Sequence, residues 1–112
     1  ANSDYLLTAQ THPDDSSVQT VTGDKIRGDG FYGRSDGLHT VQFSTNNYTG
    51  SIQIQGTLSV NPISSDFFTV LEYNYTEQTG SVIENFTGNY VWVRAILSNF
   101  TEGTVEYILM NH

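Results

Sequence analysis

The sequence predicts an all-β protein: a single antiparallel β-sandwich, jelly-roll-like, with an extended N-terminal arm. Three observations carry that expectation. Aromatic residues are abundant for a chain of 112, with seven Tyr, six Phe and one Trp, while Lys, Leu and Ala are scarce. Apolar residues recur at alternate positions in short runs bounded by Gly, Asn, Asp and Ser, the turn-forming types. No stretch beyond about ten residues carries the 3.6-residue period of a helix.

The length suits one domain with its own core. Residues 1–24, ANSDYLLTAQTHPDDSSVQTVTGD, read as an arm and first strand. A short apolar patch, Tyr5, Leu6 and Leu7, opens it; a polar segment with Pro13 leads to a strand near Val18 to Thr22. Residues 25–112 form the sandwich, built from LHTVQFST, SIQIQGTLSV, FFTVLEYNY, NYVWVRAIL and TVEYILM. In SIQIQGTLSV, Ile52, Ile54, Leu58 and Val60 fall on one face and Gln53, Gln55 and Thr57 on the other. NYVWVRAIL is apolar on both faces, which predicts a central strand. Arg94, the lone charge within it, calls for a carboxylate partner or a stack on Trp92.

A small motif recurs at Asn47 (NYTG), Asn74 (NYTEQTG), Asn85 (NFTG) and Asn99 (NFTEG). Asn tolerates a left-handed backbone, Gly supplies positive φ, and the aromatic between them can fold back onto the core. The repeat predicts four similar strand–turn corners. The same tetrads match glycosylation sequons, a match that the turn chemistry already explains.

The formal net charge is −8, with Lys25, Arg27, Arg34 and Arg94 the only cations. Such a surface repels phosphate backbones and anionic headgroups, so neither nucleic acid nor a membrane is an expected partner. With no cysteine there is neither a disulfide framework nor a thiolate metal site.

The run GDGFYG, Gly28 to Gly33, matches G-x-G-x-x-G but fails the context that gives the motif meaning. No apolar strand precedes it, a strand rather than a helix follows, and Asp29 and Asp36 would oppose a phosphate. It reads as a pair of tight turns. Asp24, Asp29 and Asp36 are weak calcium candidates, because their spacing is not that of an EF-hand loop and two arginines are interleaved. No cofactor is implied. His39 stands in a strand without a nucleophile motif around it. Glu72, Glu84 and Glu106 are the carboxylates that could meet across strands as a hydrolytic pair. A chain this short leaves little loop to enclose a cleft, and the expectation is a non-enzyme. Aromatics near turns, Tyr32, Tyr48, Phe86, Tyr90, Trp92 and Phe100, are core candidates first. Tyr32 and Tyr48 are the candidate platforms for glycan binding.

The segments GDGFYGRSDGLHTVQF, YTGSIQIQGTLSV, FTGNYVWVRA and EYILMNH together resemble small virion structural proteins of tailed bacteriophages, particularly marine, cyanophage-like ones. The likeness spans residues 23–112 and leaves the arm uncovered. The resemblance implies a non-enzymatic virion protein, assembled in the bacterial host cytoplasm. It would be a head decoration or cementing protein, or a collar or tail-fibre subunit, bound to major capsid or neck proteins. On that reading the protein is a homo-oligomer such as a trimer, and Tyr5, Leu6 and Leu7 anchor the arm on a neighbouring subunit. A carbohydrate-binding module acting in host recognition is the alternative from a different class.

Overall fold

In a computed structural model of the protein, the residues described are 3–13, 17–28 and 38–111. Four short strands come first: β1 (Ser3–Leu7), β2 (Gln10–Thr11), β3 (Gln19–Thr22) and β4 (Ile26–Arg27). Three strands of 20 residues follow, β5 (Leu38–Thr57), β6 (Phe68–Thr87) and β7 (Trp92–Asn111). A single 3-10 turn, Ser64–Asp66, lies between β5 and β6. All pairing is antiparallel, and β7 is central: β5 and then β6 lie on one side of it, and β1 to β4 share the other. No helix among the described residues is long and apolar enough to cross a membrane.

A straight strand of 20 residues spans about 65 Å, yet the longest dimension of the molecule is 44 Å. Each long strand therefore bends, and all three do so at their midpoints. Positive φ occurs at Asn47 (53°) and Gly50 (152°) in β5, at Glu77 (50°) and Gly80 (132°) in β6, and at Asn99 (50°) and Gly103 (88°) in β7. The bends are tied together. The Asn47 amide donates to Thr79 Oγ1 and the Glu77 amide to Thr49 Oγ1, each at 3.0 Å. Thr49 Oγ1 in turn donates to Glu102 Oε1 at 3.1 Å. At Gly103 a side chain is ruled out twice: by φ, and because a Cβ would collide with the Asn47 carbonyl.

The crease folds one continuous sheet into two facing leaves, an antiparallel β-sandwich. One leaf holds residues 38–46, 80–87 and 104–111 with β1 and β2; the other holds 50–57, 68–75 and 92–98 with β3 and β4. Tyr90 demonstrates the closure. Its ring lies 6.3 Å from that of His39 at the start of β5. It also covers Gly56 near the end of the same strand, where a Cβ would sit 2.6 Å from Tyr90 Cδ1. Val41, Phe43, Ile108 and Met110 from one leaf and Ile52, Ile54, Val93, Ala95 and Leu97 from the other are fully buried.

The corner motif thus does a different job from the one its sequence suggests. Asn47 and Asn99 bend strands internally instead of separating them. In the Asn74 copy, Glu77 takes the left-handed position, and Asn85 remains in regular strand opposite Thr40. The aromatics do turn inward: Tyr48 and Phe100 are buried with ring centroids 5.1 Å apart. Leu58 and Val60 do not join Ile52 and Ile54, because β5 ends at Thr57; they are 73% and 65% exposed. The segment read as an arm, residues 1–24, runs back along β7 from Asn111 to Ile96, and Leu6 and Leu7 are buried in this chain's own core.

Candidate functional site

At the end of the sandwich opposite the crease, residues 58–67 connect β5 to β6 and residues 88–91 connect β6 to β7. Two amides hold the shorter connection: Val91 donates to the Thr57 carbonyl at 2.8 Å and Gly28 to the Val91 carbonyl at 3.0 Å. Those bonds carry Tyr90 to its place over Gly56, against Phe86 at 6.1 Å. His39, buried, stacks on Phe86 at 4.7 Å with the rings parallel within 3°.

The longer connection is pinned on the outer face. Trp92 Nε1 donates to the Val60 carbonyl at 2.9 Å. The Arg94 guanidinium lies 4.1 Å from the centre of the Phe67 ring, and its Nε donates to Gln55 Oε1 at 2.9 Å. Burial pushes the Arg94 pKa down. Lys25 and Arg27 approach the Trp92 ring at 4.9 Å and 5.8 Å, so three of the four cations gather here. Within the loop, Asp66 closes a turn on Ile63: its amide donates to the Ile63 carbonyl at 3.0 Å, and its Oδ2 accepts from the Ile63 amide at 2.9 Å.

Between these connections opens a groove of about 460 Å³. Leu58, Phe68, Val70 and Tyr90 form its apolar walls; Ser59, Ser65, Asp66, Thr57 and Thr69 supply the polar groups. Phe68 is 73% exposed, an unusual state for a phenylalanine that starts a strand. An open groove with aromatic walls and a few hydroxyl and carboxylate groups suits a ligand that is apolar on its faces and polar at its edges.

The residues singled out in the sequence disperse. Tyr48 is no glycan platform: it is wholly buried, its hydroxyl donates to the Ser51 carbonyl at 2.7 Å, and desolvation pushes its pKa up strongly. Tyr32 lies outside the described residues, as do Asp29 and Asp36; Asp24 is exposed. Among the described residues no three His, Asp or Glu side chains gather as metal ligands. Tyr5 is 59% exposed beside the buried Leu6 and Leu7. Phe86 and Phe100 are in the core, and among the described residues of the aromatic set Tyr90 alone lines the groove. Glu72 and Glu84 face opposite sides of β6, opposite Gln53 and Val41 respectively, and Glu106 accepts from Ser44 Oγ at 2.7 Å. These carboxylates do not converge. Phe68 was the residue missed, although the Phe67–Phe68 pair beginning a strand just after an Asp was visible.

No family model matches the chain, and no curated protein matches it in sequence. Solved structures do resemble it. The K2 cleaved adhesin domain of Lys-gingipain aligns with a TM-score of 0.52 at 9% identity, over 98% of this chain and 70% of that one. The K3 cleaved adhesin domain of Lys-gingipain from Porphyromonas gingivalis W83 aligns with a TM-score of 0.50 at 8% identity. That match covers 83% of this chain, which spans only 61% of the adhesin domain's length. A carbohydrate-binding module from Cellvibrio mixtus lichenase 5A, solved with cellotriose, aligns at 0.44 and 15% identity over 97% and 98% of the two chains. At these identities the two adhesin-domain matches bear on the β-sandwich fold alone.

Proposed function

We propose that this protein is a non-enzymatic binding module that takes a saccharide in the groove between Phe68 and Tyr90. The observation that carries the reading is the groove's make-up, two aromatic residues, Phe68 and Tyr90, lining it together with Asp66 and four hydroxyl side chains. A sugar ring lays its C–H face on an aromatic side chain and offers hydroxyls in the ring plane. Asp66 Oδ1, Ser59 and Ser65 are suited to receive them. Glycan-array screening followed by calorimetric titration tests the reading. Saturable binding that falls at least about tenfold in Phe68→Ala and in Asp66→Asn, with unchanged melting temperature, supports it. An array without hits removes it.

The virion role implied by the sequence resemblance is the second reading, and one observation favours it. Leu58, Val60, Ile63 and Phe68, all at this end of the molecule, are 65–73% exposed, and an apolar group of this kind also suits contact with another protein. That role would dispense with the proposed anchor, since Leu6 and Leu7 are committed to the core. Light scattering on the isolated protein with capsid-binding assays distinguishes the two readings.

A further inference from the structure

The other end of the sheet order carries a separate feature. Among the described residues β6 pairs only with β5, so its second edge offers main-chain amides and carbonyls along most of 20 residues. The strand contains Glu72, Glu77 and Glu84 and neither Lys nor Arg. One carboxylate points inward. Glu84 stands opposite Val41, on the face that Val82 and Phe43 share with the core. Across the gap between the leaves, Phe43 touches Tyr73 at 5.7 Å and Tyr75 at 6.1 Å, and those two rings are stacked 6.1 Å apart within 9° of parallel. Both tyrosines are partly exposed at the rim. The Glu84 charge helps to raise the pKa of each, after desolvation, so the carboxylate is electrically close to them.

A half-buried carboxylate on the inner face of one leaf, near the Phe43 ring that packs on two tyrosines of the other, can receive a cation. Lys or Arg gains a charge-assisted bond from Glu84 and a favourable position against the aromatic rings. Strand addition to an open edge places alternate side chains of the incoming segment toward the core side, where such a receptor lies. A second copy of β6 is a poor occupant, because it brings three more carboxylates and no Lys or Arg to the edge.

We infer that the β6 edge docks an extended peptide segment of a basic partner, with one Lys or Arg side chain seated between Glu84 and the Tyr73–Tyr75 pair. The inference is independent of the saccharide groove. A displayed library of random dodecapeptides, selected on the full chain and counter-selected on Glu84→Gln, is the test. Selected sequences should be β-prone with one required Lys or Arg. They should slow amide exchange in β6 but not in β1, and lose at least about tenfold in affinity on Glu84→Gln. Replacing that Lys by norleucine in the peptide should cost a similar factor. Absence of enrichment, selected peptides that bind Glu84→Gln equally, or β6 protection that arises from self-association without peptide would each overturn the inference.

Discussion

Along β7 the outer margin of the sandwich is assembled from four pieces of two to five residues, whereas the opposite margin is one uninterrupted strand, β6. The broken margin is apolar where it matters. Leu6 and Leu7 insert between the leaves, and Gly23 abuts the Leu6 carbonyl, so the two leaves are sewn together on that side. The continuous margin is closed by aromatics and a carboxylate, Tyr73, Tyr75 and Glu84, and stays half-open. Exposed strand edges invite unwanted pairing, and the two margins counter it differently. Fragmentation leaves no segment long enough to template another strand. On β6 the protection is the mid-strand bend together with negative charge, a device that repels a copy of itself while leaving a cationic strand admissible.

Substitution at the sewn margin should have the largest effect. Leu6→Ala removes a side chain 1% exposed and is expected to cost about 3 kcal/mol in chemical denaturation. A loss below about 1 kcal/mol would show that this margin is merely draped on the sandwich. Next, the same change at two bends separates centre from edge. Gly103→Ala in β7 meets both the φ of 88° and the Asn47 carbonyl, while Gly80→Ala in β6 meets strain but open space. Expected losses are about 3 and about 1 kcal/mol; equal losses would mean that the bends are stabilised by φ alone.

Alkaline titration probes the interior behind the half-open margin. Burial raises the pKa of Tyr48, Tyr73 and Tyr75 in the folded chain, and Glu84 adds to the rise for the last two. The neutral phenols are therefore favoured by folding. Their contribution is complete below the ordinary tyrosine pKa, and stability should fall as pH climbs above about 10. Tyr48→Phe, which also gives up the bond to the Ser51 carbonyl, should lose about 1 kcal/mol at neutral pH and flatten the alkaline decline. The smallest effect is expected from Ile83→Ala on β6, a residue 61% exposed, at under about 0.5 kcal/mol.

The difference between the margins also marks what the sequence could and could not disclose. Alternation identified SIQIQGTLSV, and two-faced apolarity placed NYVWVRAIL at the centre. The joins were misread because a left-handed residue followed by Gly has the same local chemistry in a hairpin and in a mid-strand bend. Only the hydrogen bonds of Thr49 and Thr79 to the neighbouring strand decide between them, and those are properties of register. Residues 81–87 escaped notice as strand because inward-facing Glu84 interrupts the apolar positions Val82 and Phe86. Leu6 and Leu7 looked detachable because nothing local ties them to Ile108, 101 residues away or more. The groove was half legible: Tyr90 belonged to the aromatic set, but Phe68 pairs with Gly56, which has no side chain to cover it, one residue before β5 ends at Thr57.

The crease also constrains the route to the folded state. Each leaf is made from the same three strands, so neither can be completed before the other has its register. The pairs that bracket the sheet, Thr40 with Asn111 and Thr57 with Trp92, close loops of very different length, and both must be in frame before the threonines at the bends reach their amides. A slip of one residue along β5 would misalign the leaf in which it falls. Such a topology has high contact order, so folding on the millisecond-to-second scale is the expected outcome, checked by stopped-flow refolding.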